Sequence, residues 1–189
     1  MKTFPVNSGY KFLLSLIILN SHILGMNARL LCQTEKGHEY ELKATFIYHF
    51  TRYIQWPHTE GSESFDIGIL GQSEIVKHLE EIAKKKTVKN KKMAIKHLDH
   101  IEDIQDCEIV FVSASRGEDL DRILQNIGDK NILTISDTKG FAQRGIAINF
   151  IIEQGKMKFE INTRALERAG LVVSSQLQKL AILVDEEET

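Results

Sequence analysis

The sequence is poor in most features that identify a small protein quickly. It has two cysteines, two prolines and one tryptophan in 189 residues. Two cysteines cannot form the disulfide framework that replaces a core in small secreted domains. Two prolines and twelve glycines exclude collagen-like and proline-rich disordered chains. Neither sign of charge dominates: 24 Lys and Arg face 26 Asp and Glu, a formal net charge of −2. That balance gives no basis for a nucleic-acid partner. No unbroken apolar run approaches the roughly 20 residues of a membrane-spanning helix. What remains, 42% hydrophobic and 26% charged, suits one soluble globular domain with a sizeable core.

The first 28 residues differ from the rest. Residues 1–27 hold two charges, Lys2 and Lys11, both positive. Phe12 to Leu19 is apolar apart from Ser15, Asn20-Ser21-His22 interrupts it, and Ile23 to Ala28 ends in small residues. A basic start, a short apolar centre and a small-residue exit form a secretory signal pattern, cleaved after Gly25 or Ala28. An uncleaved anchor is the alternative, and so is lipid attachment at Cys32, although Leu31 is not the small residue such a site needs. Removal of residues 1–28 leaves 161 residues (189 − 28) with a net charge of −4 (22 − 26). The expected product is exported and works outside the cytoplasm as one domain over residues 39–184, with an acidic tail at 185–189.

Hydrophobic spacing then sets the elements. Leu42, Phe46, Phe50, Tyr53 and Ile54, with Ile47 beside them, predict a helix from Glu39 to Trp56, stopped by Pro57. Phe65 to Gly71 reads as a buried strand and turn, followed by a helix from Glu74 to about Lys84 capped by Ser73. Further strands are expected at Met93–Leu98, Cys107–Val112 and Asn131–Ile135. A short helical segment falls at Ile101–Gln105, and a helix at about Glu118–Ile127 is closed by Gly128. Gly145–Ile152 and Lys156–Asn162 are spaced as a hairpin. A short helix at Thr163–Ala169 and a last helix at Ser175–Val184, capped by Ser174, complete the chain. The alternation predicts an α/β fold: a single domain with a mixed, mainly parallel sheet flanked by helices and a late antiparallel hairpin at its edge.

Motifs for chemistry are sparse. Gly68-Ile69-Leu70-Gly71 lacks the third glycine of a dinucleotide fingerprint and reads as a tight strand-to-helix turn. A small polar ligand at that edge, near Gly68 to Ser73 and Ser113 to Arg116, is a second reading, since ligands favour the C-terminal ends of parallel strands. Seven lysines between Lys84 and Lys96 read as a solvated helix end and a guarded edge strand, with an anion contact as the alternative. His97 and His100 are the sole closely spaced histidine pair, in a strand-to-turn context that does not suit zinc. No nucleophile–base set or carboxylate pair stands out, so no catalytic residue, metal ligand or cofactor is expected. Cys32 and Cys107 are a candidate disulfide. Trp56 is either a partner anchor or a staple of its helix to the core.

Six segments occur in an order that resembles the YfiR/HmsC-like family of periplasmic proteins. They are Ala44–Pro57, Phe65–Gly71, Asp106–Val112, Ile132–Asp137, Phe159–Asn162 and Ala169–Ala181. The resemblance covers about Glu39 to Val184. It implies a non-enzymatic α/β regulator, often dimeric, whose best-known members restrain the periplasmic part of a membrane diguanylate cyclase. Cyclic diguanylate output, exopolysaccharide and biofilm formation fall as a result. Some members respond to redox state through disulfides. Cys107 matches a family cysteine, but its usual partner position is Gly68 here, and a second pair falls near Phe141 and Ile148. Where the best-known member carries two arginines and a histidine as ligand contacts, this chain has Gln55, Val172 and Ser174, so nucleotide binding is not carried over.

The expectation is therefore a binding module for an inner-membrane sensor or cyclase, with a homodimer and a small-molecule ligand as further partners. Arg52, Trp56, Gly71, Ser73, Ser113 and Ser174 are the candidate partner or ligand contacts. The first and last helices are the candidate docking surfaces. The alternative is a periplasmic solute-binding protein feeding a sensor kinase or transporter.

Overall fold

A continuous helix, α1, spans residues 37–53. The structure, a computed structural model, describes residues 37–57 and 62–185. The signal pattern, Cys32 and the end of the acidic tail lie outside them. After α1 come β1 (Ile54–Gln55), β2 (Ser64–Leu70), α2 (Ile75–Ala83), β3 (Thr87–Val88) and β4 (Lys91–Leu98). A 3-10 turn at Ile101–Asp106 leads into β5 (Ile109–Val112), and another at Ala114–Asp119 into α3 (Leu120–Ile127). Then follow β6 (Leu133–Ser136), β7 (Ile148–Glu153), β8 (Lys156–Asn162), α4 (Thr163–Arg168), β9 (Val172–Val173), α5 (Ser175–Leu180) and β10 (Ile182–Val184).

Eight of these strands form one sheet in the order β10-β8-β7-β6-β5-β2-β4-β3. Pairing is parallel throughout except at β7–β8 and β3–β4. The expected mixed α/β domain with a late hairpin is what forms. The hairpin turns at Gln154 and Gly155, both with positive φ, the two-residue geometry that follows strand twist. It is not at the edge, however, because β10 pairs in parallel with β8 outside it.

Alternation along the strands feeds two cores. Ile109 and Phe111 of β5 join the cluster under α1 and α2, whereas Val110 and Val112 join the one under α3. Both faces of the sheet are therefore covered, which explains the unbroken apolar strand sequences.

Three expectations are corrected. First, α1 ends at Tyr53 rather than Trp56. Pro57 disfavours helix at the residue before it, and the Trp56 indole N–H reaches the Glu108 carbonyl at 3.1 Å. Ile54 and Gln55 are drawn out as β1, antiparallel to β9 in a separate ribbon. Second, the inward face of α1 is rotated from the apolar stripe. Ala44, Ile47, Phe50, Thr51 and Ile54 are buried, while Leu42 and Tyr53 are 37% and 39% exposed. Lys43 turns inward to meet Asp137 at 2.6 Å, with side chains 5% and 11% exposed. Third, the last helix ends at Leu180, and Ile182 to Val184 pair with Glu160 to Asn162 instead of continuing it. Sheet pairing satisfies those backbone groups, and the helix was too short to compete.

Candidate functional site

The structure divides the six candidate contacts into three places. Gly71, Ser73 and Ser113 meet at the C-terminal ends of β2 and β5. Gly71 has φ +87°, and a Cβ there would lie 2.4 Å from Ser113 Oγ and 2.5 Å from Ser115 Oγ. Only glycine fits, and the serines close over its backbone. The Ser113 and Ser115 hydroxyls share a 2.7 Å hydrogen bond, Ser115 Oγ accepts from Gln72 N at 3.2 Å, and Ser73 Oγ accepts from Ile75 N at 3.3 Å. Arg116 Nε donates to Asp119 Oδ2 at 2.9 Å. A cavity of about 370 Å3 opens beside this turn, lined by Gly71, Ser73, His97, Asp99 and Arg116 among others. The hydroxyls serve the turn, which begins at Gly71; Gly68, expected to be part of it, lies within β2, paired with Lys96 and Val110.

Trp56 and Ser174 lie at the opposite end of the sheet, beside the β1–β9 ribbon. Trp56 is 5% exposed, and its ring meets Phe65 edge-on at 5.3 Å between centroids. It staples the end of α1 to the core. Ser174 caps α5 by accepting from Leu177 N at 3.3 Å, and its own N–H donates to the Tyr53 carbonyl at 2.9 Å. Gln55 and Val172 are directly paired across the ribbon. The three positions that the family resemblance links to ligand contact thus come together here, with Val172 62% exposed.

Cys107 is a buried free thiol at this same end. Its candidate partner Cys32 lies outside the described residues. Burial pushes the thiol up to about 11, against the pull of the Lys96 ammonium. Lys96 itself is raised by its 2.6 Å pairing with Asp66. A Cβ on Gly68 would sit 2.8 Å from Cys107 Sγ, so the position the resemblance marks as a cysteine partner is adjacent to it. Burial also raises Glu108, opposed by the Asp66 backbone N–H that donates to it at 2.6 Å.

Arg52 stands apart, exposed on α1 and lining a groove toward α2. Sequence reasoning missed the α2 side of that groove, because nothing in spacing pairs two helices separated by a strand. Among the described residues, no group of three His, Cys, Asp or Glu is placed to hold a metal ion. None of their helices is long and apolar enough to cross a membrane.

Among the described residues, the large hydrophobic side chains left exposed are Leu42, Tyr53, Ile152, Val172, Leu180 and Leu183. All but Ile152 lie on α1 or on the segment from β9 to β10.

A family model described as YfiR/HmsC-like matches residues 40–182. No curated protein matches the chain. Among solved structures, a conserved domain protein from Vibrio cholerae O1 biovar El Tor is similar with a TM-score of 0.52 at 10% identity. That match covers 78% of this chain and 60% of the other, and it shows the fold. An ABC domain from Streptococcus pneumonia, solved in complex with L-Trp, gives 0.47 at 11% identity, covering 64% and 55%. The chain thus spans somewhat over half the length of these two structures.

Proposed function

Because the chain belongs to the YfiR/HmsC-like family, whose members are periplasmic regulators of cyclic diguanylate signalling, we propose that it docks on the periplasmic sensor domain of an inner-membrane diguanylate cyclase and restrains it. Residues 1–28 are its secretory signal in this reading. The mechanism is differential affinity for the partner's inactive state, which needs no catalytic residue. The observation that supports the reading is the exposure of Tyr53, Val172, Leu180 and Leu183, at the end of α1 and along the segment from β9 to β10. Several exposed large apolar side chains within so short a segment are what a docking surface requires. The test is deletion of the gene together with capture of the mature chain from membranes. Loss of the protein raises cellular cyclic diguanylate, and a membrane cyclase co-purifies. Unchanged dinucleotide with no membrane partner overturns the proposal.

The strand-end cavity of about 370 Å3 supports a second reading, a solute receptor at Gly71, Ser73 and Arg116. Its signature is a melting temperature that rises with one periplasmic solute and is blunted in Arg116→Ala.

A further inference from the structure

We propose that the groove between α1 and α2 binds a small organic anion, a carboxylate or phosphate monoester carried on an apolar body. The groove encloses about 570 Å3, the range of small-molecule sites. Its directionality follows from the fold. Lys43, near the start of α1, meets Asp137 just past the end of β6, while Trp56, beyond its end, meets Glu108 just before β5. So α1 runs against the parallel strands. The α2 helix does the same, because it follows β2 and returns the chain to β4, whose Lys92 pairs with Ser64 at the start of β2. The C-terminal ends of the two helices share one end of the groove, and Arg52, Lys85 and Lys86 are gathered there.

The charge balance at that end is positive. Glu81 on α2 is answered by Lys84 at 2.6 Å and Lys85 at 3.9 Å, and the Lys84 hydrogen bond holds its carboxyl below the usual range. Glu41 lies three turns of α1 away from Arg52. Neither Arg52 nor Lys86 has an ion pair among the described residues. Helix C-terminal ends favour cations in any protein, so a bound anion is held there by the side chains alone, against the two helix dipoles. His78 and His49 also line the groove. Beside the cations, Tyr48 and Ile82 offer an apolar wall. Guanidinium and ammonium groups for the anion, an imidazole beside them and an apolar wall together define the ligand class. The groove meets the proposed docking surface at the end of α1, where Arg52 precedes Tyr53, but the titration reads ligand binding with no partner present, so its failure and the failure of docking are distinguishable.

Isothermal titration of the full mature chain with phenyl phosphate and phenylacetate tests the site. Phenol and inorganic phosphate serve as single-feature controls. The expected result is saturable one-to-one binding of the two aromatic anions, with weaker or no binding of the controls. Affinity falls about tenfold or more in Arg52→Ala/Lys86→Ala. Both side chains are exposed, so the melting temperature of that variant stays at the wild-type value. The proposal is overturned by absence of saturable binding, by equal affinity in the double variant, or by binding to phosphatidylglycerol vesicles alone.

Discussion

At Gly68 a Cβ would lie 2.8 Å from the Cys107 sulfur and 2.5 Å from Leu98 Cδ1. A disulfide sets each Cβ about 3 Å from the far sulfur, and the buried Leu98 side chain, with Cγ at 3.1 Å, has to shift to admit it. Gly68→Cys is expected to form a disulfide with Cys107 on mild oxidation, linking β2 to β5 and stabilising the fold by about 2–4 kcal/mol less any strain. Thiol titration and melting with and without reductant read this out. Two thiols persisting after oxidation would refute it. In the natural chain the same pair of positions is glycine and an unreactive buried thiol, so the family's redox link is absent at this pair. Glu108 gives a second residue-scale prediction. Its folded pKa is raised above the ordinary 4.5, so the folded state holds this proton more firmly than the unfolded chain. The ionised form therefore costs stability above the folded pKa, and the cost disappears as pH falls below the unfolded value. Glu108→Gln keeps an oxygen for the Asp66 N–H and should raise the melting temperature by roughly 1–3 °C at pH 7. The gain should vanish near pH 4. A gain of equal size at both pH values would contradict this.

Among the elements, α1 depends on a contact that its sequence pattern hides. Lys43 and Asp137 form an ion pair almost out of water, with the Tyr40 ring 4.4 Å from the ammonium. Removing one member of such a pair strands the other charge, at a cost of about 3–5 kcal/mol. Lys43→Ala is expected to show that loss in urea unfolding, and Lys43→Met/Asp137→Leu to recover most of it. Additive losses in the double variant would argue against coupling. The same contact explains what the sequence could and could not reveal. The apolar runs of β2, β5 and β6 and the stripe of α3 are long enough to fix their type. A stripe calculation on α1 includes Leu42 and Tyr53 as inward residues and leaves Lys43 out, because hydropathy has no entry for a paired lysine. The strands β1, β3, β9 and β10 have two or three residues each, and such strands exist only through their partners. The three positions the family resemblance set beside ligand contact depend on one of these pairings, β1 with β9, so their meeting was beyond any local reading. The Gly71 turn, by contrast, was legible because its glycine and serines are close in sequence to the strand ends that hold them.

For the whole molecule, the two sheet edges are treated differently. The β3 edge lies between Lys84–Lys86 and Lys89–Lys92, which keeps other strands away. The β10 edge has no lysine in Ala181 to Val184, and Leu183 there is 56% exposed. Partner contact is accordingly expected on the side of β10, β9 and the end of α1. Val172→Asp/Leu180→Asp should abolish capture of the membrane partner while leaving the melting temperature within about 2 °C of wild type. Retained capture would move the docking surface elsewhere. The placement of α1 has one more consequence. Its Phe46 and Phe50 pack their rings against Phe150 and Phe159, which lie in the C-terminal part of the domain. As the chain emerges N-terminus first, α1 is complete long before its strands exist. Its aromatic face must then wait in water or in the hands of a chaperone until β7 and β8 arrive. Such late-closing contacts make for slow folding, and they make the time between emergence and closure the interval in which this protein is most open to aggregation.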